Sequence, residues 1–398
     1  MRVLLISNPN STSLNGEVPR EVVPALMEAT ELISCFTEYA GHAEDIARGL
    51  TREDADVVII MGGDGSVNEV INGLLGPDVE NRPAPEELPR LAVIPSGSAN
   101  VFARALGFPN DPGAAARKLA GLLSSGTTRR LPVGRVAGRW FIVNVGFGLD
   151  AAVIKGMEKL RGRGISATAG VYGVIATKAW RQLRRFPPNI SITIPGEALH
   201  ATAPEDPSTE DVATEDTAEG EAPSTSSRSG AHRFPAAAYE EEATRGSHLY
   251  RGDNPHEGDV TLPDIPFTVV TNTNPWTYAG ALPIITNPEQ SLDKALSLYA
   301  LQDISGVGGL GALLHTVGVA RRYLHGFDFH DREFRLDDVS TIHLSSVDPL
   351  PVQIDGESAP ETTHLTVTSI PDCLDVIADP SDPFDDVIGE ALENSLPL

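Results

Sequence analysis

The stretch "VVIIMGGDGSVNEVING", residues 57–73, joins a strand pattern to a glycine turn and a helix pattern. Its first five residues are aliphatic and mostly β-branched, as in a strand covered on both faces. Gly62, Gly63 and Gly65 allow a tight turn whose backbone can approach a polyanion, and the N–H groups at the start of the helix attract phosphate. The stretch therefore predicts a polyphosphate site. It is neither a dinucleotide fingerprint nor a Walker P-loop, since no Gly-Lys-Ser/Thr is present.

The carboxylate within this turn needs its own explanation. Phosphate oxygens repel Asp64 unless a cation lies between them, so Asp64 implies Mg²⁺ in the functional state. The alternative is a plain strand-to-helix turn in which Asp64 is only an acid at a helix N-terminus.

A second polar turn, "VIPSGSANVFARALGFP" at 93–109, follows the next strand pattern. Ser98 and Asn100 stand where that strand ends. Because parallel strands present their carboxyl ends at one edge of the sheet, we expect the two turns to share a ligand. Ser and Asn also cap helices, so this turn alone is weak evidence.

The order of elements predicts two domains. Strand and helix patterns alternate over residues 1–130, which indicates an α/β domain with a parallel sheet. Strand patterns then follow at shorter spacing, with helical stretches at about 151–185 and 306–324, which indicates a mainly antiparallel β-rich domain at 131–370. We expect the tail at 371–398 to pack back on the first domain.

Residues 198–259 interrupt the second domain with an acidic segment rich in Ser, Thr and Pro. Such a segment buries too little apolar surface to offset its ordering entropy, so we expect a disordered insertion that enlarges a hairpin loop.

Composition excludes several classes of protein. The 398 residues carry a formal net charge of −25, which argues against nucleic-acid binding. Two distant cysteines, Cys35 and Cys373, cannot form a disulfide framework, and a reducing cytoplasm fits best. No apolar run reaches membrane-spanning length. We therefore expect a soluble protein whose contact with lipid is peripheral.

One segment opposes the overall charge. Residues 155–185 hold eight basic residues and one acid, interleaved with apolar positions that include Trp180. A basic amphipathic helix of this kind can dock on anionic lipid. A helix packed on the core with a solvated basic face is an equally good interpretation.

Late in the chain, Asp355 and Glu357 flank Gly356 after the strand pattern "PVQI". Phosphoryl transfer needs positioning, charge neutralisation and a group that takes the proton of the acceptor hydroxyl. Glu357 is our candidate for that base. The alternative is a solvated hairpin turn, for which Asp-Gly is a strong signal.

Several motifs in this order resemble the diacylglycerol kinase catalytic-domain family, which includes soluble bacterial lipid kinases and is related to sphingosine kinases. They are "NPNS" at 8–11, "FTEYAGHAEDIAR" at 36–48, the two glycine turns, "NVGFGLDA" at 144–151 and "IDGE" at 354–357. The resemblance covers most of the chain outside the acidic insertion. It implies an α/β N-terminal domain with a parallel sheet, similar to NAD kinases and phosphofructokinases, and an antiparallel β-sandwich C-terminal domain.

The resemblance also implies an activity, which is transfer of the γ-phosphoryl group of Mg·ATP to a lipid hydroxyl, most simply that of diacylglycerol, in phospholipid metabolism. Carried over by position, Asp64 organises Mg²⁺, Glu357 is the proton acceptor and Asp150 contacts the polar head of the lipid. The nucleotide site comprises Asn8, Thr37, Gly62, Gly63, Asp64, Gly65, Ser66, Asn68, Glu69 and Ser98.

The second turn departs from the family pattern Gly-Thr-Gly-Asn-Asp. Ser98 keeps the hydroxyl, whereas Val101 removes a carboxylate. A sphingoid-base or other lipid-alcohol kinase, an enzyme like NAD kinase, and a lipid-binding pseudokinase remain alternatives. We expect the protein in the cytoplasm and transiently at the inner face of the membrane, and a homodimer is left open.

Overall fold

The computed structural model describes residues 1–9, 18–27, 30–149, 151–152, 189–199, 258–279, 282–306 and 332–379, with single positions at 178, 181, 185, 309, 311 and 312. Asp150, nearly all of the expected insertion, most of the two expected helical stretches and the tail after residue 379 lie outside these residues. Within the described part, no helix is both long enough and apolar enough to cross a membrane.

The N-terminal part is a parallel sheet with helices between its strands, as the alternating pattern predicts. Its strands are β1 Arg2–Ser7, β2 Glu31–Phe36, β3 Val57–Gly62 and β4 Arg90–Pro95. Its helices are α1 Val18–Met27, α2 His42–Ala47, α3 Asp64–Leu75, α4 Val101–Ala105 and α5 Pro112–Ser125. The sheet order is β4-β3-β1-β2, and every adjacent pair is parallel. All six residues of β3 are buried, which explains its unbroken aliphatic sequence.

The C-terminal part is largely antiparallel, which confirms the expected fold class. Its strands are β5 Arg129–Val136, β6 Arg139–Phe141, β7 Asn144–Phe147, β8 Ile190–Ile194, β9 Val260–Ile265, β10 Phe267–Thr271, β11 Thr277–Ala279, β12 Leu282–Ile284, β13 Leu296–Leu301, β14 Glu333–Val339, β15 Thr341–Ile354 and β16 Glu357–Val376, and a short 3₁₀ helix spans Gly196–Leu199. Adjacent strands follow the order β14-β13-β10-β7-β15-β16.

One long strand joins the two parts. β16 pairs antiparallel with β15 and β5, and its last residue, Val376, pairs parallel with Leu91 of β4. The Ile377 N–H also donates to the Leu91 carbonyl at 2.8 Å. The sheet is therefore continuous by hydrogen bonds, and the expected boundary at residue 371 falls inside β16.

Two details differ from the strand patterns. Residues 139–147, one apolar strand pattern in the sequence, form two strands, β6 and β7, and between them the N–H groups of Ile142 and Val143 are held by the carboxylate of Asp355. The long strand β15 combines two strand patterns of the sequence, at residues 341–346 and 350–354, and its register shifts between Ser345 and Val352.

Candidate active site

The structure brings the two glycine turns into direct contact. The Ser96 N–H donates to the Gly62 carbonyl at 3.0 Å. A Cβ atom on Gly97 would lie 2.6 Å from the Cα of Gly63, and one on Gly63 would lie 3.2 Å from the Cα of Gly97. Glycine is therefore required at 97, where the backbones pass closest. Ser98 is exposed at the top of the second turn.

Asp64 ties the first turn to the second. Its Oδ1 accepts the N–H of Phe102 at 2.9 Å, and its Oδ2 accepts the N–H of Val101 at 3.0 Å. These donors lie at the start of α4, so Asp64 caps a helix that follows a neighbouring strand. Burial raises the pKa of the Asp64 carboxyl, against the lowering effect of the two N–H groups.

Asn100 fixes the shape of the second turn. It occupies the left-handed region with φ 50°, which Asn tolerates better than most residues. Its Oδ1 accepts the Gly97 N–H at 2.8 Å, and its Nδ2 donates to the Gly97 carbonyl at 2.9 Å and to Asn110 Oδ1 at 2.7 Å. The amide side chain closes the turn on itself.

Two further residues of the expected nucleotide site stand at the same edge of the sheet. Asn8 follows β1, and its N–H donates to the Met61 carbonyl of β3 at 3.3 Å. Thr37 follows β2, and its N–H donates to the Ser7 carbonyl of β1 at 2.9 Å. The carboxyl ends of all four parallel strands thus contribute to one rim.

Asn68 and Glu69 lie on α3, and both bind other parts of the protein. Glu69 accepts the N–H groups of Gly41 at 2.9 Å and Ala43 at 3.2 Å, so it caps α2. The buried Asn68 Nδ2 donates to the Trp140 carbonyl and to Asp355 Oδ2, both at 2.8 Å. These side chains support the elements around the rim. Ser66 is in the first turn of α3, where its Cβ would lie 2.6 Å from a Cβ atom on Gly62.

Glu357 reaches the first turn from the C-terminal part. Asp355 and Gly356, with φ 49° and 81°, form a two-residue turn between β15 and β16, and Ile354 pairs with Glu357 across it. The hairpin expected as the alternative is therefore present, yet its Glu is placed at the rim. A Cβ atom on Gly65 would lie 2.6 Å from Glu357 Oε1.

Asp355 anchors this hairpin, a role that the sequence analysis did not identify. Its Oδ1 accepts the N–H groups of Val143 and Asn144 at 2.8 and 3.0 Å, and its Oδ2 accepts those of Ile142 and Asn68 Nδ2 at 2.9 and 2.8 Å. Burial raises its pKa to about 6, because desolvation outweighs these four hydrogen bonds.

Arg104 and Tyr278 form a second contact between the two parts, also absent from the sequence analysis. The guanidinium carbon of Arg104 lies 3.2 Å from the centroid of the Tyr278 ring. Burial lowers the pKa of Arg104, and Asp64 acts on it in the opposite direction. Arg104 thus brings a positive charge into the electrostatic range of the first turn.

This arrangement fits a nucleotide and Mg²⁺. The two turns present backbone rather than side chains where they meet, which suits phosphate groups. The Asp64 carboxylate and the exposed Glu357 carboxylate lie on elements that meet at Gly65. A carboxylate has about four lone-pair sites, and those that no N–H group occupies let Asp64 still serve as an oxygen ligand. Among the described residues there is no group of three His, Cys, Asp or Glu side chains that could hold a metal ion.

Comparison with known proteins agrees with these motifs. A family model described as the diacylglycerol kinase catalytic domain matches residues 2–136. Over these residues the chain resembles the catalytic domain of diacylglycerol kinases. The match includes the first glycine turn, the second turn and both elements that Asp64 connects.

Two curated relatives are similar to part of the chain. The chain is 39% identical over 112 residues to a diacylglycerol kinase of Bacillus subtilis (strain 168), which covers 28% of this chain and 33% of the relative. It is 34% identical over 143 residues to a diacylglycerol kinase of Staphylococcus aureus (strain MRSA252), which covers 35% of this chain and 42% of the relative. The matched region thus spans less than half the length of these relatives.

A solved structure extends the likeness of fold to nearly the whole chain. The crystal structure of a diacylglycerol kinase from Bacillus anthracis str. Sterne matches with a TM-score of 0.58 and 18% identity, over 96% of this chain and 98% of that one. At this identity the likeness shows the fold alone.

Proposed function

We propose that this protein is an ATP-dependent lipid kinase that transfers the γ-phosphoryl group of Mg·ATP to a lipid hydroxyl. The observation that carries the proposal is the position of Glu357, whose carboxylate packs on Gly65 of the phosphate-binding turn. A carboxylate from one part of the chain thus meets a phosphate cradle from the other. Phosphoryl transfer needs such a pairing, because the acceptor hydroxyl must lose a proton beside the transferred group.

The residues of the rim have distinct tasks in this proposal. Backbone N–H groups of the two turns and the start of α3 hold the phosphates, while Asn8, Thr37 and Ser98 border the nucleotide. Asp64 offers an oxygen ligand to Mg²⁺, which supplies charge neutralisation on the transferred phosphate when bound. Arg104 adds a positive charge near the same turn. Glu357 takes the proton of the acceptor hydroxyl.

Diacylglycerol is the acceptor that we propose, with phosphatidic acid as the product. The names of the relatives support it, since both the family and the curated proteins are described as diacylglycerol kinases. Asp150, the expected contact to the lipid head, lies outside the described residues. A sphingoid base or another lipid alcohol would use the same phosphate site and differ only in the acceptor pocket.

One experiment separates these possibilities. The purified protein is incubated with γ-labelled ATP, Mg²⁺ and either a panel of lipids or NAD, and the labelled product is identified. We expect labelled phosphatidic acid. Labelled sphingoid phosphate would change the substrate, labelled NADP would indicate an enzyme like NAD kinase, and no labelled product despite ATP binding would indicate a pseudokinase.

We also propose that the protein works at a membrane surface from the cytoplasm. Its acceptor is a lipid, and the basic segment 155–185 supplies the charge that anionic lipid attracts. Lys178, Arg181 and Arg185 of this segment are helical and exposed. Whether it acts as a homodimer is decided by light scattering.

A further inference from the structure

A row of polar side chains crosses one face of the C-terminal sheet and ends at the hairpin that carries Glu357. Thr271 of β10 pairs with Ser297 of β13 on one side and with Asn144 of β7 on the other. Paired residues in antiparallel strands share a face. The next strand continues the row, because the Asp355 N–H donates to the Asn144 carbonyl at 2.9 Å.

On the same face of the sheet, the residues next to this row are apolar. Phe267 and Val269 of β10 point to this face. They pack in a cluster with Leu149, Trp276, Ile284, Tyr299, Leu301, Ile304 and Ala312. Val270 belongs to a different cluster on the opposite face. By the same alternation, Thr271 lies on the face of Phe267 and Val269. The row therefore lies beside a buried apolar cluster.

Two buried polar atoms at this border have no hydrogen-bond partner among the described residues. They are Oγ1 of Thr271, which is 1% exposed, and Nε1 of Trp276, which is 7% exposed. Other polar atoms of the row are paired, since Ser297 Oγ donates to Gln290 Oε1 at 2.8 Å and Asn144 Nδ2 donates to the Trp276 carbonyl at 2.8 Å. Buried polar atoms are almost always paired, so these two atoms can each take a hydrogen bond with a further group.

The chemistry of the two atoms selects the missing group. The indole N–H is a donor only, and the threonine hydroxyl can donate as well. Both suit a carbonyl oxygen, which accepts two hydrogen bonds. An ammonium group has only donors and gains nothing from an indole N–H. The pair therefore favours an ester over the amine of a sphingoid base.

We propose that Thr271 and Trp276 bind an ester carbonyl of an acylglycerol acceptor. The inference rests on the proposed lipid kinase function, and it adds the part of the lipid that is recognised. The apolar cluster accommodates the adjacent acyl chains, and the row leads the glycerol hydroxyl toward Glu357, two residues beyond Asp355. Binding of the ester thereby orients the hydroxyl without any step of the phosphoryl transfer occurring at these residues.

The test compares an ester lipid with its ether analogue. Dioctanoylglycerol and the dioctyl diether of glycerol present the same hydroxyl and chain length, and only the first has carbonyl groups. Equilibrium binding and KM are measured for wild type, Trp276→Phe and Thr271→Val. A lost hydrogen bond of this kind corresponds to roughly a threefold to tenfold change in affinity. We expect wild type to prefer the ester by about this factor or more, and each variant to lose part of the preference with the KM for ATP unchanged.

A matched control comes from the same strand. Thr268 of β10 is buried on the opposite face, where its Oγ1 donates to the Tyr299 carbonyl at 3.0 Å. Thr268→Val removes a threonine hydroxyl as well, and we expect it to keep the ester preference. Equal affinity of wild type for ester and ether overturns the proposal. So does an equal loss for both lipids in the Trp276 and Thr271 variants, which would indicate buried water or packing at these atoms.

The outcomes also separate this inference from the proposed function. Preferential binding of the ester by wild type and loss of that preference in the variants, without any phosphorylated product, supports the ester site and refutes the kinase. Phosphorylation of both lipids at equal KM supports the kinase and refutes the ester site.

Discussion

The close contact between Gly65 and Glu357 allows a sharp test of the proposed base. An alanine at 65 would place its Cβ 2.6 Å from Glu357 Oε1, whereas ordinary contact begins at 3.4 Å. The carboxylate must therefore move by about 0.8 Å, the difference between these two distances. The obstacle is the far end of a flexible, exposed side chain, so the movement costs little stability.

The expected effects on activity and stability have opposite signs. A misplacement of about 1 Å in a reacting group can cost about 100-fold in rate, so we expect Gly65→Ala to lower kcat roughly 10- to 100-fold. Gly65 lies in the first turn of α3, and alanine favours a helix over glycine by roughly 0.5–1 kcal/mol. The free energy of unfolding should therefore stay level or rise while turnover falls.

The assay pairs lipid phosphorylation with urea unfolding, and Gly121→Ala is the control. Gly121 lies in α5, and no atom comes within 4 Å of a Cβ built there. This variant shares the gain in helix propensity and should keep wild-type turnover. Full activity of a folded Gly65→Ala variant would refute the placement of Glu357 at the reacting atoms.

Three further predictions concern other parts of the site. Asp64→Asn replaces one of the two acceptor oxygens by a donor, so we expect the free energy of unfolding in urea to fall by about 1–3 kcal/mol. We also expect the Mg·ATP-dependent activity to vanish, and unchanged activity would exclude the metal role. For Asp355 the folded-state pKa of about 6 exceeds its usual 3.8, so its contribution to stability is present below pH ~4 and is lost as the pH rises to ~6. The free energy of unfolding of wild type should therefore change by about 2–3 kcal/mol across that window through Asp355, and Asp355→Asn should remove this change. If urea titrations give the same pH dependence for wild type and variant, the raised pKa is contradicted. Arg181→Glu with Arg185→Glu should weaken binding to anionic liposomes, and binding insensitive to both the charge reversal and salt would refute membrane docking.

The local part of the site could be predicted from the sequence. The turn at 62–66 follows a strand of aliphatic residues and opens a helix, and each of these features depends on neighbours in the chain. The same applies to the second turn and to the parallel sheet. α5 also has local signals, since Asp111 caps it, Pro112 begins it and Gly126 ends it, although it is not among the elements predicted above.

The non-local part could not be predicted in this way. Asp355 looks like an ordinary turn residue, because its hydrogen-bond donors lie more than 200 positions earlier in the chain. Glu69 accepts the N–H groups of Gly41 and Ala43, which lie more than 20 positions earlier in the chain. The pairing of Val376 with Leu91 likewise appears only when two distant strands meet. Periodicity and turn chemistry report neighbours in sequence, and these three contacts join residues that are distant in sequence.

The central claim is that the carboxylate of Glu357, set on the phosphate-binding turn, takes the proton of a lipid hydroxyl. The most direct measurement is transfer of label from γ-labelled ATP to diacylglycerol by wild type and by Glu357→Gln, with ATP affinity measured in parallel. We predict Mg²⁺-dependent labelling of the lipid by wild type, and in the variant unchanged ATP affinity with turnover lowered roughly 100- to 10,000-fold. Near-wild-type labelling by the variant would contradict the claim.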